Sequence, residues 1–501
     1  MKASFANRPI QILLDGVELD TKTLRSAASA FVSQALDAPS LVEICFAEPP
    51  KDSISAFRYG ASIALRVDGN VPLFAGEITT IEHQRDGAGG HLVRIRAYDL
   101  LHRLRMRQHS RALADCSAQD LVRKAASDLG IDSSIGTAGP VRRQAFQHDQ
   151  SDFDFLVDLA MDAGLHLYLD IDVLRLTSLA GDGEALELKV GRELAKVRST
   201  STVETLRRHV ETKAWNLLRT TVVNSTVSLA RQDSRDMRSI DSSAFPDLGV
   251  RIFYNRIAQD SAEAEGYIQA DIDRAAAGEA AVEGTADGDP RIKPGQVVRI
   301  LGVDDALDGE FAVTRATHLF DAQVGYVTEF STSAPTRRQR SHQPLFTFGR
   351  VSDVNDPDSL SRVKAKLLLM GDLESDWMPV VVAGAGKDKG FAVMPACDDN
   401  VLIVFPDGNP AYGIVLGGLY GESRAPGLDS AGTRPFVFRT GNGQCFTLDS
   451  ANALARLETS GGDRFELGPN GTKLHATRDL LIDAPGRTVT IRARAVEFEE
   501  G

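Results

Sequence analysis

The sequence is poor in the residues that staple or metallate small folds. Four cysteines in 501 residues, Cys45, Cys116, Cys397 and Cys445, are widely scattered. None forms a CxxC pair or a Cys/His cluster with zinc spacing, so a disulfide framework and the common zinc modules are excluded. Reduced, buried thiols are expected, which suits folding in a cytoplasm. No apolar run approaches the roughly 18 residues of a membrane-spanning helix. Residues 1–9 lack the apolar stretch of a secretory signal, so no leader is expected. Positive charge is in deficit: 56 Lys and Arg stand against 69 Asp and Glu, a formal net charge of -13. An acidic surface repels phosphates and disfavours a general nucleic-acid binder.

Catalytic signatures are missing as well. HExxH, GxSxG and a strand-linked GxGxxG do not occur. The run Gly384, Gly386, Lys387, Lys389, Gly390 has the look of a phosphate loop. Val381 and Asp388 stand where GxxxxGK[ST] needs glycine and a hydroxyl, so it reads as a surface turn. The ten histidines are scattered singly, and His318, on an alternating strand pattern, reads as structural rather than as a base. With so many acids, some carboxylate pair fits any glycosidase geometry, so pairing carries no weight. No catalytic residue, cofactor or metal ligand is expected.

What is present is strand periodicity. Apolar content is 43% and charged content 25%, ordinary for a globular chain of two to four domains. Residues 1–105 read as strands: Ile10, Ile12 and Leu14 alternate up to an Asp15-Gly16 turn, and 41–46, 61–67, 73–81 and 91–98 follow, with Gly76 permitting a bend. Residues 106–185 carry two capped helices. Ser117 with Asp120 opens one that Gly130 stops, and Ser151 with Asp154 opens another that Gly164 stops. Residues 186–335 return to strands, interrupted by an alanine-rich helix over 262–277. A basic, polar linker over 334–343 suits a domain boundary.

Residues 344–425 are the most informative stretch. Val363, Ala365 and Leu367 alternate with Lys364 and Lys366, as in a half-buried strand, and the run 401–405 reads as a strand covered on both faces. Asp356-Pro357 and Asp407-Gly408 mark turns. About five strands in roughly 75 residues suit a small closed barrel. Trp377 and Phe405 lie in runs that read as core, which argues against a stacking surface for ligands.

The tail, 434–501, has its own rhythm. Apolar i, i+2 pairs recur at Phe446/Leu448, Ala455/Leu457, Phe465/Leu467, Leu480/Ile482, Val489/Ile491 and Val496/Phe498, with Leu474 between them. Glycine- and proline-bearing turns separate these short strands. One chain in this pattern buries little and leaves sheet edges open, whereas three chains wound together close the edges and share an apolar axis. A small meander docked on the barrel is the other arrangement the pattern allows.

The stretch 346–421 resembles the oligonucleotide/oligosaccharide-type (OB) barrel in spike proteins of contractile injection machines, the VgrG proteins of type VI secretion and the hubs of phage tails. Gln147 to Leu156, with Leu159, Ala160, Ala163, Gly164 and Leu165, resembles a helix of the same family, Phe153 standing where tryptophan is usual. Gly309 to Val313, His318 and Gly325 to Thr328 are similar to the close of the family's hub domain. The resemblance implies a mainly β protein with a few helices: hub β-barrels at 1–105 and 186–335, a helix-containing insert at 106–185, an OB-fold at 344–425 and a triple-stranded β-helix needle at 434–501 in a homotrimer. It implies a structural role between a tube-protein hexamer and baseplate proteins above and a PAAR-type tip protein below. No nucleic acid is involved, and the target membrane is met only by mechanical piercing.

Leu480, Ile482, Val489, Ile491, Val496 and Phe498 are the expected needle core and tip-docking residues, with Glu497, Glu499 and Glu500 facing solvent or the tip partner. The short joint after Tyr420 leaves no room for a lysozyme insert. With the short needle and short opening segment, it favours a phage-tail-like particle, made in a bacterial cytoplasm and released, over type VI secretion. An enzyme delivered as cell-wall hydrolase cargo and a monomeric saccharide-binding protein are the rival readings.

Overall fold

The computed structural model describes residues 10–234, 250–304, 308–321, 325–336, 343–387, 389–422, 425–426 and 435–499. The opening segment 1–9, the basic residues 337–340 of the expected linker, Asp388 and Glu500 lie outside the described residues. Strands dominate, with six α-helices among the described residues. The chain divides into two compact units, Met1–Gly418 and Leu419–Gly501.

The backbone of the larger unit is one eleven-stranded sheet. Ala27–Ala35 pairs antiparallel with Leu41–Ala47 on one side and with Arg315–Asp321 on the other. Strands from the two ranges expected to form separate hub barrels therefore hydrogen-bond into a single sheet. Their apolar interiors stay distinct. One cluster holds Ile12, Val32, Ile44, Phe46, Ile63, Phe74 and Ile95. The other holds Leu188, Val282, Val298, Ile300, Phe311 and Phe330. The alternation that signals half-buried strands is plain in Leu41–Ala47, where Val42, Ile44 and Phe46 point inward.

Gly76 lies within the strand Val71–Arg85, but a bend is not what requires glycine there. A Cβ at this position would meet the Tyr98 carbonyl oxygen at 2.2 Å and the Phe74 ring at 2.7 Å. The position is closed to any side chain by close approach of the neighbouring strand.

Both expected helix starts are present. Ser117 caps Ala118–Leu129 by accepting from the Asp120 amide, the Asp120 carboxylate accepts from the Ser117 amide, and Gly130 follows at φ 70°. Ser151 caps Asp152–Met161 by accepting from the Asp154 amide at 3.1 Å. Phe153, in the family's tryptophan position, is fully buried in the core that these helices share with the strands Leu165–Asp170 and Val173–Ser178. The alanine-rich helix runs Ser261–Glu279 and packs on His209–Asn216 and Thr221–Val227.

The 344–425 region forms a five-stranded sheet in the order Leu373–Glu374, Lys364–Leu367, Leu345–Asp353, Asn400–Phe405, Ile414–Leu419. Val351, Ala365, Leu367, Val401, Ile403, Phe405 and Val415 fill its interior, with Trp377 buried nearby. The run 401–405 is covered on one face only. Leu402 and Val404 are half-buried on its outer side, facing the exposed Phe346 and Phe348 in register. The strand is apolar on both faces although one of them meets solvent in the single chain, so a continuous apolar run did not mean double burial. The Asp356-Pro357 turn is anchored by Arg362, which donates to Asp356 at 2.9 and 2.5 Å, both side chains being 3% exposed. These charge-assisted bonds hold the Asp356 carboxyl far below the usual carboxylate range.

The smaller unit is an antiparallel meander of five strands, Phe436–Arg439, Cys445–Asp449, Leu454–Glu458, Arg464–Gly468 and Gly471–His475. No strand is formed over 476–499.

Candidate functional site: an apolar face on the C-terminal sheet

Side chains alternate across a strand, so the register of the meander decides what each face carries. One rung runs Phe438, Phe446, Leu457, Phe465, Leu474 through all five strands. A second rung runs Phe436, Leu448, Ala455, Leu467, Thr472. Both lie on the same face. The opposite face carries Thr447, Arg456, Glu466 and Lys473, with Arg456 and Glu466 paired at 2.9 Å.

The turns lock this register. Asp449 accepts from the amides of Ala451 and Asn452, and Asp463 accepts from the Thr477 amide at 2.7 Å. Bonds from Asn452 and Thr477 lower the pKa values of these two carboxyls. The backbone thus presents two straight apolar ladders, and within the chain the large residues of both remain exposed or half-buried. Removing a large apolar side chain from water is worth about 2 kcal/mol. Eight such residues left uncovered make this face unstable as a free surface and strongly favourable as an interface.

Leu480, Ile482, Val489, Ile491, Val496 and Phe498 lie beyond the meander, outside any strand and between 52% and 93% exposed. The structure does not bring these six together into a core within one chain. Glu497 and Glu499 are exposed too. Sequence reasoning missed the first strand of the stripe. Phe436 and Phe438 carry the same i, i+2 signal as the later pairs.

Other features offer no chemistry of comparable clarity. A cavity of about 290 Å³ in the larger unit is lined by Arg142, Asp158, Asp162, Tyr267 and Asp407 among others. Arg142 donates to Asp162 at 3.1 Å and lies over the Tyr267 ring, and burial raises the Asp407 pKa. Its lining holds carboxylates, His148 and Tyr267 but no serine, cysteine or lysine. No group of three metal-ligating side chains is found among the described residues. No helix among them is long and apolar enough to cross a membrane.

Comparison with known proteins matches this architecture. Residues 347–420 match the type VI secretion system/phage-baseplate injector OB domain. An E. coli type VI secretion component, described as similar to T4 tail proteins gp27 and gp5, superposes with a TM-score of 0.53 at 14% identity, over 82% of this chain and 99% of that one. The VgrG-containing Francisella PdpA-VgrG complex gives a TM-score of 0.55 at 11% identity, over 94% and 88%. A Shewanella oneidensis prophage tail protein gives 0.50 at 14% identity, over 65% and 98%. Among curated proteins, none matches this sequence.

A second family, described as the Alg8 N-terminal domain, matches residues 56–321. That span omits Ala27–Ala35 and Leu41–Ala47, which are hydrogen-bonded inside the same sheet, so it does not delimit a folding unit and carries no functional argument.

The chain thus carries an injector OB domain at residues 347–420 and shares the fold of phage-tail and type VI secretion proteins.

Proposed function

We propose that the chain is the central hub and spike of a contractile injection apparatus, acting as a homotrimer. The observation that carries this reading is the pair of apolar ladders on the C-terminal sheet, which one chain leaves in water. Three copies that turn these faces toward a common axis bury them and protect the sheet edges. Leu480, Ile482, Val489, Ile491, Val496 and Phe498 continue that core toward the tip, where a PAAR-type protein docks. The two β-regions at 1–105 and 186–335, with separate cores in one sheet, serve as the paired hub barrels. Three copies offer six such units to a tube-protein hexamer, with baseplate proteins around them.

The role is mechanical: a hydrogen-bonded needle transmits axial force and pierces the target membrane. No bond chemistry is assigned to any residue. Prophage tail and type VI proteins share the fold; our preferred setting is a particle assembled in a bacterial cytoplasm and released, with a type VI spike as the second reading.

Multi-angle light scattering tests the proposal. The expected mass is three times the 54.1 kDa chain at every concentration measured. A stable monomer contradicts it, and turnover of purified peptidoglycan would favour a cell-wall hydrolase instead.

A further inference from the structure

The chain is strongly acidic, yet residues 100–114 contain no Asp or Glu and carry Arg103, Arg105, Arg107 and Arg111 together with His102 and His109. The fold uses these cations unequally. Arg103 is answered by Glu77. Asp152 is shared by Arg107 at 3.3 Å, His109 at 2.9 Å and Arg111 at 4.0 Å, and Arg111 also donates to Gln147 at 2.8 Å. Asp128 lies 3.8 Å from Arg107 and 3.4 Å from Lys124. Arg105 is exposed, lies 5.2 Å over the Phe153 ring, and has no ion-pair or hydrogen-bond partner among the described residues. Arg107, Arg111 and Lys124 thus share Asp128 and the buried Asp152, while the neighbouring Arg105 faces only the charge of the buried Asp99. Beside them Met106 is 80% exposed, a flexible apolar side chain of the kind that adapts to a partner.

We infer that this ridge is a docking surface for an acidic segment of a separate protein, one that supplies carboxylates to Arg105 and its neighbours and covers Met106 with an apolar side chain. Charge complementarity selects the partner class. A nucleic acid fits less well. The chain as a whole repels phosphate, and Phe153, the aromatic ring under Arg105, is fully buried and leaves no platform for base stacking. The inference stands apart from the trimer, since it uses no residue of the C-terminal sheet.

Fluorescence anisotropy with the full-length protein at low salt tests it. The probe is a labelled peptide of alternating glutamate and serine with one central leucine. Saturable binding is expected, together with its loss when glutamine replaces glutamate in the peptide. Arg105→Glu with Lys124→Glu, both at exposed positions, should weaken binding by about tenfold or more, and Arg105→Gln with Lys124→Gln by less. Circular dichroism and light scattering confirm that the variants keep their fold and mass. Absence of binding overturns the inference. So does equal binding of the glutamine peptide, an unaffected glutamate double variant, or displacement of the peptide by a thymidine oligonucleotide.

Discussion

At the scale of single residues, His318 shows how a position can look functional and be structural. Its ring is fully buried in Arg315–Asp321, the strand that joins the two halves of the large sheet. Nδ1 lies 3.0 Å from both Tyr326 Oη and Thr328 Oγ1, and Asp289 and the Ile292 carbonyl also face the ring. Burial pulls its pKa down to about 4 despite Asp289. The unfolded chain takes up the proton near the ordinary histidine value, so between the two values it binds more protons than the folded chain. The stabilisation is therefore complete above the ordinary value and is lost as pH falls toward about 4. Between about pH 7 and pH 5 this amounts to about 2 kcal/mol. Asp99 works the other way, because burial pushes its carboxyl up to about 7, and its contribution fades as pH rises. The slope of the intact protein sums these and the other shifted carboxyls, Asp273 and Asp407 among them, and the variant isolates the histidine. Urea titrations should show that the stability lost in His318→Gln relative to the parent grows as pH rises over the window from about 4 to 6.5; parallel pH curves for the two proteins would remove His318 from the seam's acid response.

At the scale of elements, the tail is a test of what a face is for. Leu457 sits mid-ladder between Phe446 and Phe465, while Thr447 and Arg456 are paired on the opposite face of the same two strands. Leu457→Asp places a charge in the proposed shared core and should reduce the trimer to smaller species by light scattering. Thr447→Asp, beside Arg456, should leave the mass unchanged. Equal effects of the two would mean that the apolar face is not the interface. Elements of this kind were legible because local rules act on them strongly. The Ser117 and Ser151 caps, the helix in Ser261–Glu279 and the alternation in Lys364–Leu367 all follow from short-range hydrogen bonding and side-chain period. What was not legible is set by distant partners. Nothing near Gly76 in sequence announces that Tyr98 closes the space above it. The pairing of Arg315–Asp321 with Ala27–Ala35, across almost three hundred residues, is a tertiary choice that periodicity does not encode. Phe346 and Phe348 read as strand residues, but which side of the strand met solvent depended on the register with Asn400–Phe405.

At the scale of the whole molecule, the division near residue 418 separates two kinds of stability. The larger unit has extensive internal cores around Phe46, Phe153, Phe311 and Phe405, and each of these clusters is closed by the chain itself. The smaller unit has few buried side chains, Cys445 being the one apolar residue of its sheet that is buried. A unit without its own core draws stability from association, and association obeys mass action. Two transitions are therefore expected in calorimetry rather than one. The transition of the C-terminal unit should move to higher temperature as protein concentration rises, whereas that of the larger unit should stay in place. A chain ending at residue 434 should lose the concentration-dependent transition and associate more weakly, while keeping the melting of the larger unit. If that shortened chain is still a trimer of undiminished stability, the hub barrels or the OB barrel hold the copies together, and the needle is carried by the trimer instead of clamping it.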